Sequence, residues 1–237
     1  MPLKTVLILA NSVRHAPNAC VAGRELTDAG GKRSYGAWVR PVSNQGDGEL
    51  SLQERWTAQN REVHVLDIVR MSLGDQVVDA LQPENWKLAS PPAWQVVGTA
   101  TIEDLKRAAE SPPSLWDDPK DLTDRVNEVR IAKSPPAQSL YLVKIEEVLI
   151  RLSSEHYPER TRKQRRALFR HRGRDYNLAI TDPTIEGRYG IRVPTPSEAA
   201  IEHRVRHACY VCVSLAHRSF QGHHYKLAAA IIDPEHL

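Results

Sequence analysis

Between positions 160 and 174 the chain places Arg160, Arg162, Lys163, Arg165, Arg166, Arg170, Arg172 and Arg174 with no carboxylate among them. Like charges at that density repel one another, and a polyanion lying alongside would relieve them. The window therefore reads as a phosphate-binding surface, with Phe169 and Tyr176 supplying aromatic faces on which bases could stack. The competing reading is a solvated edge strand whose charges keep other strands from pairing with it.

A second set is Cys20, Arg40, Gln82, Asn85 and Trp86. Cys20 follows a turn and has His15 five residues before it, so a thiol and an imidazole would make nucleophile and base if folding joined them. A buried structural thiol is the simpler alternative. The stretch Gln82-Pro83-Glu84-Asn85-Trp86 is polar and ends on a large aromatic. It reads either as a loop pinned by Trp86 or as the lip of a pocket in which Gln82 and Asn85 hydrogen-bond a base.

His203, His207, Cys209 and Cys212 have the side-chain types that hold zinc, but on a strand over 209–216 the two cysteines point to opposite faces. No metal is expected there. Phosphate loops, Gly-x-Gly-x-x-Gly, Gly-x-Ser-x-Gly and His-Glu-x-x-His are all absent, so neither catalytic residues nor a cofactor are assigned.

The 237 residues can bury one large core or two small ones, and the net charge of +3 makes the basic character local rather than global. Three cysteines and no secretory leader suit a reducing cytoplasm. The apolar run Val6–Ala10 is too short to span a bilayer and reads as a buried strand, so no membrane partner is expected.

These residues must be positioned by short strands. Strands are expected at 3–10, 19–24, 36–42 and 62–71, with turns at Gly30-Gly31 and Asn44–Gly48. From 98 the pattern changes: Thr101 with Asp104 predicts a helix cap, and Ile102, Leu105 and Ala109 recur at helical spacing. A second helix is expected over 122–131, with Asp117, Asp118, Asp121 and Asp124 near its N-terminus. Strands return at 140–150, 168–171, 175–181, 209–216 and 225–232, and Asp182 before Pro183 predicts an Asx turn. The expectation is a mainly β, α+β chain: a barrel over 1–97, an acidic helical arm over 98–136 that would suit a protein partner, and a second barrel over 137–237.

Several short stretches occur in an order that resembles the bacterial dual-OB domain family: Asn11-Ser12, Cys20–Gly23, Gly36–Ser43, Gln82–Trp86, Tyr176–Pro183 and Tyr225–Ile232. The resemblance covers nearly the whole chain. It implies two OB folds in tandem, a fold widely used to hold single-stranded nucleic acid, and a role as an accessory module in prokaryotic antiphage defence or nucleic-acid processing. It carries no catalytic assignment. Two functions follow: a non-catalytic binder of single-stranded DNA or RNA, and a sensor or enzyme for a nucleotide-like ligand held between the barrels by Cys20, Arg40, Gln82 and Asn85.

Overall fold

The computed structural model describes residues 2–13, 16–89, 94–157 and 159–237. Six strands come first: β1 (Leu3–Ser12), β2 (Cys20–Ala29), β3 (Lys32–Val42), β4 (Asp67–Gln76), β5 (Asn85–Leu88) and β6 (Trp94–Thr99). They run in the order β1-β2-β3-β5-β4, β4 pairs back onto β1, and β6 adds to β4. The result is a closed five-stranded barrel with β3 and β5 parallel, the OB arrangement. Closure divides β1 along its length, with Leu3–Leu7 on β4 and Val6–Ser12 on β2. At the crowded crossing only glycine fits, because a Cβ on Gly23 would lie 2.0 Å from the Leu7 carbonyl oxygen.

The fourth strand starts later than the sequence pattern implies. Leu66 takes a left-handed backbone conformation, φ 79°, while its N–H reaches the Ile8 carbonyl, so 62–66 form an irregular approach and β4 begins at Asp67. Val69, Met71 and Leu73 then face the first barrel's core.

The connecting segment holds α1 (Ile102–Ala108), β7 (Arg125–Asn127) and α2 (Glu128–Lys133). Thr101 and Asp104 form the capping box that their spacing predicts. The helix expected over 122–131 is replaced by β7 and a short helix capped by Asn127. The aspartates explain the difference, since all four engage cationic or imidazole side chains, while Asp121 alone also accepts from the N–H of Asn127, the cap of the short helix. Asp117 takes Lys226 Nζ at 2.6 Å, Asp118 takes Arg130 at 2.9 Å, Asp124 takes Arg125 at 2.8 Å, and Asp121 lies 3.4 Å from His223. A helix dipole offers only about 0.3–1 kcal/mol per charge, which such pairs can outweigh.

The second barrel repeats the circuit. β8 (Leu140–Ile145) and β9 (Val148–Tyr157) are parted only by Glu146 and Glu147, so the single strand expected over 140–150 bends into two. They are followed by β10 (Arg160–His171), β11 (Arg174–Ile180), β12 (Ile201–Val205), β13 (Cys209–Leu215) and β14 (His223–Ile232). β9-β10-β11-β14-β13-β8 closes the ring through the bend, with β11 and β14 parallel and β12 added outside β9. The basic hairpin turns on Arg172 and Gly173, φ 50° and 79°, the two positive angles of a type I′ turn. β11 reaches only Leu227 and Ala228 of β14, and β7 pairs with His223–Tyr225, so the connecting segment completes this barrel.

The barrels share an apolar seam in which Leu7, Leu9, Trp38 and Ile68 meet Leu140, Leu142, Tyr210, Cys212 and Ile232. This is why β1 and β13 are apolar at successive positions: Val6 and Ile8 fill their own barrel while Leu7 and Leu9 fill the seam. Likewise Cys209 lies in the second core and Cys212 in the seam, on opposite faces of β13. Burial pushes the Cys209 thiol up to about 12 and raises Cys212 as well. Native protein titrated with a chromogenic disulfide reagent is therefore expected to react at Cys20 alone, and all three thiols only after denaturation; prompt labelling of two would overturn this packing.

Among the described residues no helix is long and apolar enough to cross a membrane, and no three His, Cys, Asp or Glu side chains converge as a metal would require. His203 stacks on Tyr189 and His207 bonds Asp233.

Candidate functional site

Four of the eight cations of the basic window meet carboxylates, two of which they share with Lys226 and Arg125. Arg165 bonds Glu186 at 2.7 Å, Arg166 lies 3.7 Å from Asp124 and bonds Asn177, Arg170 lies 3.8 Å from Asp175, and Arg174 lies 3.7 Å from Asp117. Arg172 donates to Ser111. Glu186, Asp124 and Asp117 from other parts of the chain, and Asp175 from the same hairpin, thus supply part of the counter-charge that a polyanion would otherwise bring. The aromatic part of the expectation is corrected too: Phe169 and Tyr176 stack on each other at 5.4 Å inside the second barrel, and neither offers a face to a base. Arg160, Arg162 and Lys163 are exposed on the outer part of β10 and make no ion pair among the described residues.

The other set is brought together. A cleft of about 280 Å³ opens between the barrels, and Cys20, Arg40, Gln82 and Asn85 all line it. Small side chains create the space, because Ala10, Ser12 and Ala22 of the first barrel face Ser214 and Ala229 of the second. Trp86 is not on its wall; it packs half-buried against the first core under Lys4 Nζ, 4.7 Å from its ring. His15 lies outside the described residues, so the thiol-imidazole pair has no geometry to report.

Each polar group of the cleft has a structural reason to be where it is. Asp79 Oδ1 accepts from the Leu81 and Gln82 amides, an Asx turn that sets the loop between β4 and β5. Gln82 then spans the barrels by donating Nε2 to the Leu215 carbonyl at 3.1 Å. That bond fixes its amide orientation, so Gln82 Oε1 faces Asn85 and accepts from Nδ2 at 3.3 Å. Asn85 Oδ1 is left buried with no partner, on a residue only 6% exposed.

Arg40 stands beside Asn85 on the adjacent parallel strand. Its Nη2 serves Ser139 at 3.1 Å, Ser214 at 3.3 Å and the buried Glu84 carboxylate at 3.3 Å. Nε and Nη1 have no partner among the described residues. Ser139 also bonds Glu84, so a residue entering the second barrel ties down the carboxylate that holds Arg40. At the mouth, the loop between β13 and β14 crosses to the first barrel through His217–Asp79 at 2.9 Å and Arg218–Asp47 at 3.1 Å. With Glu49 also on the wall, the mouth carries no excess positive charge.

Arg40 donors with no protein partner among the described residues, beside the unpartnered Asn85 oxygen, suit a flat polar group with an acceptor and a donor on one edge. Sequence reasoning named four of these residues but missed Ser139, Ser214, Asp79, His217 and Arg218. The serines left no signal, while His217-Arg218 between two strands marked a polar loop. Asp182, read as an Asx turn, is one: its Oδ1 accepts from the Thr184 amide at 2.9 Å.

A family model described as a dual OB-containing domain matches residues 4–231. No curated protein and no solved structure matches the chain.

Proposed function

The chain belongs to the dual OB-containing domain family, and from that premise we propose that it is a non-catalytic binding module holding one nucleobase-bearing unit in the cleft between its barrels. The observation that carries the reading is the pair of neighbours on parallel strands, Arg40, whose Nε and Nη1 have no partner among the described residues, and Asn85, whose buried Oδ1 has none either. An unpartnered buried acceptor costs roughly 1–3 kcal/mol, a cost that a ligand donor removes. OB barrels use the loop between their fourth and fifth strands for ligands, and both such loops, at 77–84 and 216–222, reach this cleft. The cleft admits one unit and no more, being at the small end of ligand sites.

The strand backbone would remain outside, where Arg160, Arg162 and Lys163 are exposed on the outer part of β10 and make no ion pair among the described residues. A free nucleotide and the exposed nucleotide of a single strand share the chemistry of the cleft, and salt dependence separates them. Anisotropy and calorimetry with the four mononucleotides and with random ten-residue single strands of DNA and RNA, over a salt series, form the test. Mononucleotides should bind with little salt dependence. For strands, replacing Arg160, Arg162 and Lys163 by alanine should flatten the log–log slope by roughly 0.7 per lost contact, about 2 in all. An unchanged slope removes these residues from the interface, and no binding by either class of probe removes the function.

A further inference from the structure

Phe220 is 61% exposed, a large apolar ring in a loop that could have hidden it. Its position is fixed: the Phe220 N–H donates to the His223 carbonyl at 2.8 Å and the His223 N–H returns to Phe220 at 3.2 Å. Gln221 and Gly222 between them have φ of 51° and 76°, a type I′ turn. Holding a non-glycine residue in the left-handed region costs free energy, so the turn displays the ring against a local penalty. Beside it, 6.4 Å away, lies Tyr225, whose own face is covered by the Arg125 guanidinium at 4.9 Å. Arg125 is in turn held by Asp124, which it shares with Arg166, so the cluster offers π surface beside a partly neutralised cation.

The same loop begins on the cleft wall with Ala216, His217 and Arg218. Phe220 follows Arg218 by two residues, and at about 3.3–3.6 Å per residue its Cα lies within roughly 7 Å of that wall residue's Cα. We propose that Phe220 is a stacking platform for the base next to the one in the cleft, so that the ligand is a single strand of at least two nucleotides and not a free nucleotide. This rests on the cleft reading above and adds to it the class of ligand. Stacking suits the role because every base has a π face, and an exposed ring can accept one without moving protein atoms.

The test uses the full chain, the four mononucleotides and the random ten-residue strands. Wild type should hold the best strand at least tenfold tighter than the best mononucleotide. Phe220→Ala should lose roughly tenfold on the strand, within the range for one stacked base, and leave mononucleotide affinity unchanged. Phe220→Trp should restore strand binding, which a merely structural role would not predict, and an unchanged melting temperature would show that each variant folds. Equal strand affinity in wild type and Phe220→Ala overturns the platform while leaving the cleft intact. If strands alone bind and Phe220→Ala weakens them, the platform stands and the cleft reading falls. Absence of all binding overturns both.

Discussion

Asp117→Ala should destabilise the fold by about 3–5 kcal/mol, the usual cost of stripping one partner from a buried ion pair. Asp117 and Lys226 side chains are 2% and 0% exposed, their charged atoms are 2.6 Å apart, and Tyr176 donates its hydroxyl to the same carboxylate at 2.5 Å. Burial pulls the Lys226 ammonium below its ordinary range, with Asp117 opposing, while desolvation and Asp117 push the Tyr176 phenol up. Removing the carboxylate leaves a desolvated cation and an orphaned hydroxyl at the point where the connecting segment completes the second barrel. Urea unfolding measures the loss. The double replacement Asp117→Leu with Lys226→Met should regain most of it, since apolar side chains of similar volume often substitute for a buried pair without penalty. A loss of less than about 1 kcal/mol for Asp117→Ala would mean that the pair behaves as an exposed one.

Asn85→Leu is expected to separate stability from binding. The substitution removes an oxygen that has no partner but also the 3.3 Å bond to Gln82 Oε1, one orphaned acceptor for another, so the melting temperature should stay about level. Binding should weaken roughly tenfold to a hundredfold, because the ligand donor then meets a methyl group. Thermal melts and calorimetry on the same preparation read both effects. Lower stability with intact affinity would make Asn85 a structural residue and no part of a binding site.

Much of the architecture was legible in the sequence because apolar strand segments alternate with turn residues along both halves of the chain. Val6–Ala10 and Cys209–Leu215 announced burial by being apolar at successive positions, although only the structure reveals that one face of each meets the other barrel. Two local patterns misled for the same reason, namely that tertiary partners won over local ones. The aspartates at 117, 118 and 121 had the placement of a helix N-terminus but found Lys226, Arg130 and His223, and Asp124 is shared by its neighbour Arg125 and the distant Arg166. The arginines at 165, 166, 170 and 174 had the spacing of a phosphate surface but found carboxylates.

The cleft was half legible. Gln82-Pro83-Glu84-Asn85 stood out as a polar stretch among strands, and the reading of a nucleotide-like ligand between the barrels grouped it with Cys20 and Arg40. What sequence cannot carry is the meeting of two loops about 140 residues apart, 77–84 and 216–222, since that depends on how the seam docks the barrels. Phe220 was overlooked because a lone aromatic in a loop has no periodicity to mark it; the adjacent Gln221-Gly222 turn was its only signal.

Affinity alone does not say where a ligand sits, and Cys20 does. Its side chain lines the cleft, while Cys209 and Cys212 are buried and held as thiols, so alkylation of native protein reports on this wall. The rate of Cys20 modification by iodoacetamide, followed by mass spectrometry with and without a saturating single strand, is the decisive measurement. The occupied cleft should slow alkylation at least tenfold in wild type, and the same strand concentration should give Asn85→Leu little protection. A strand that binds by calorimetry yet leaves Cys20 reacting at its unliganded rate would place the ligand elsewhere and contradict the cleft as the binding site.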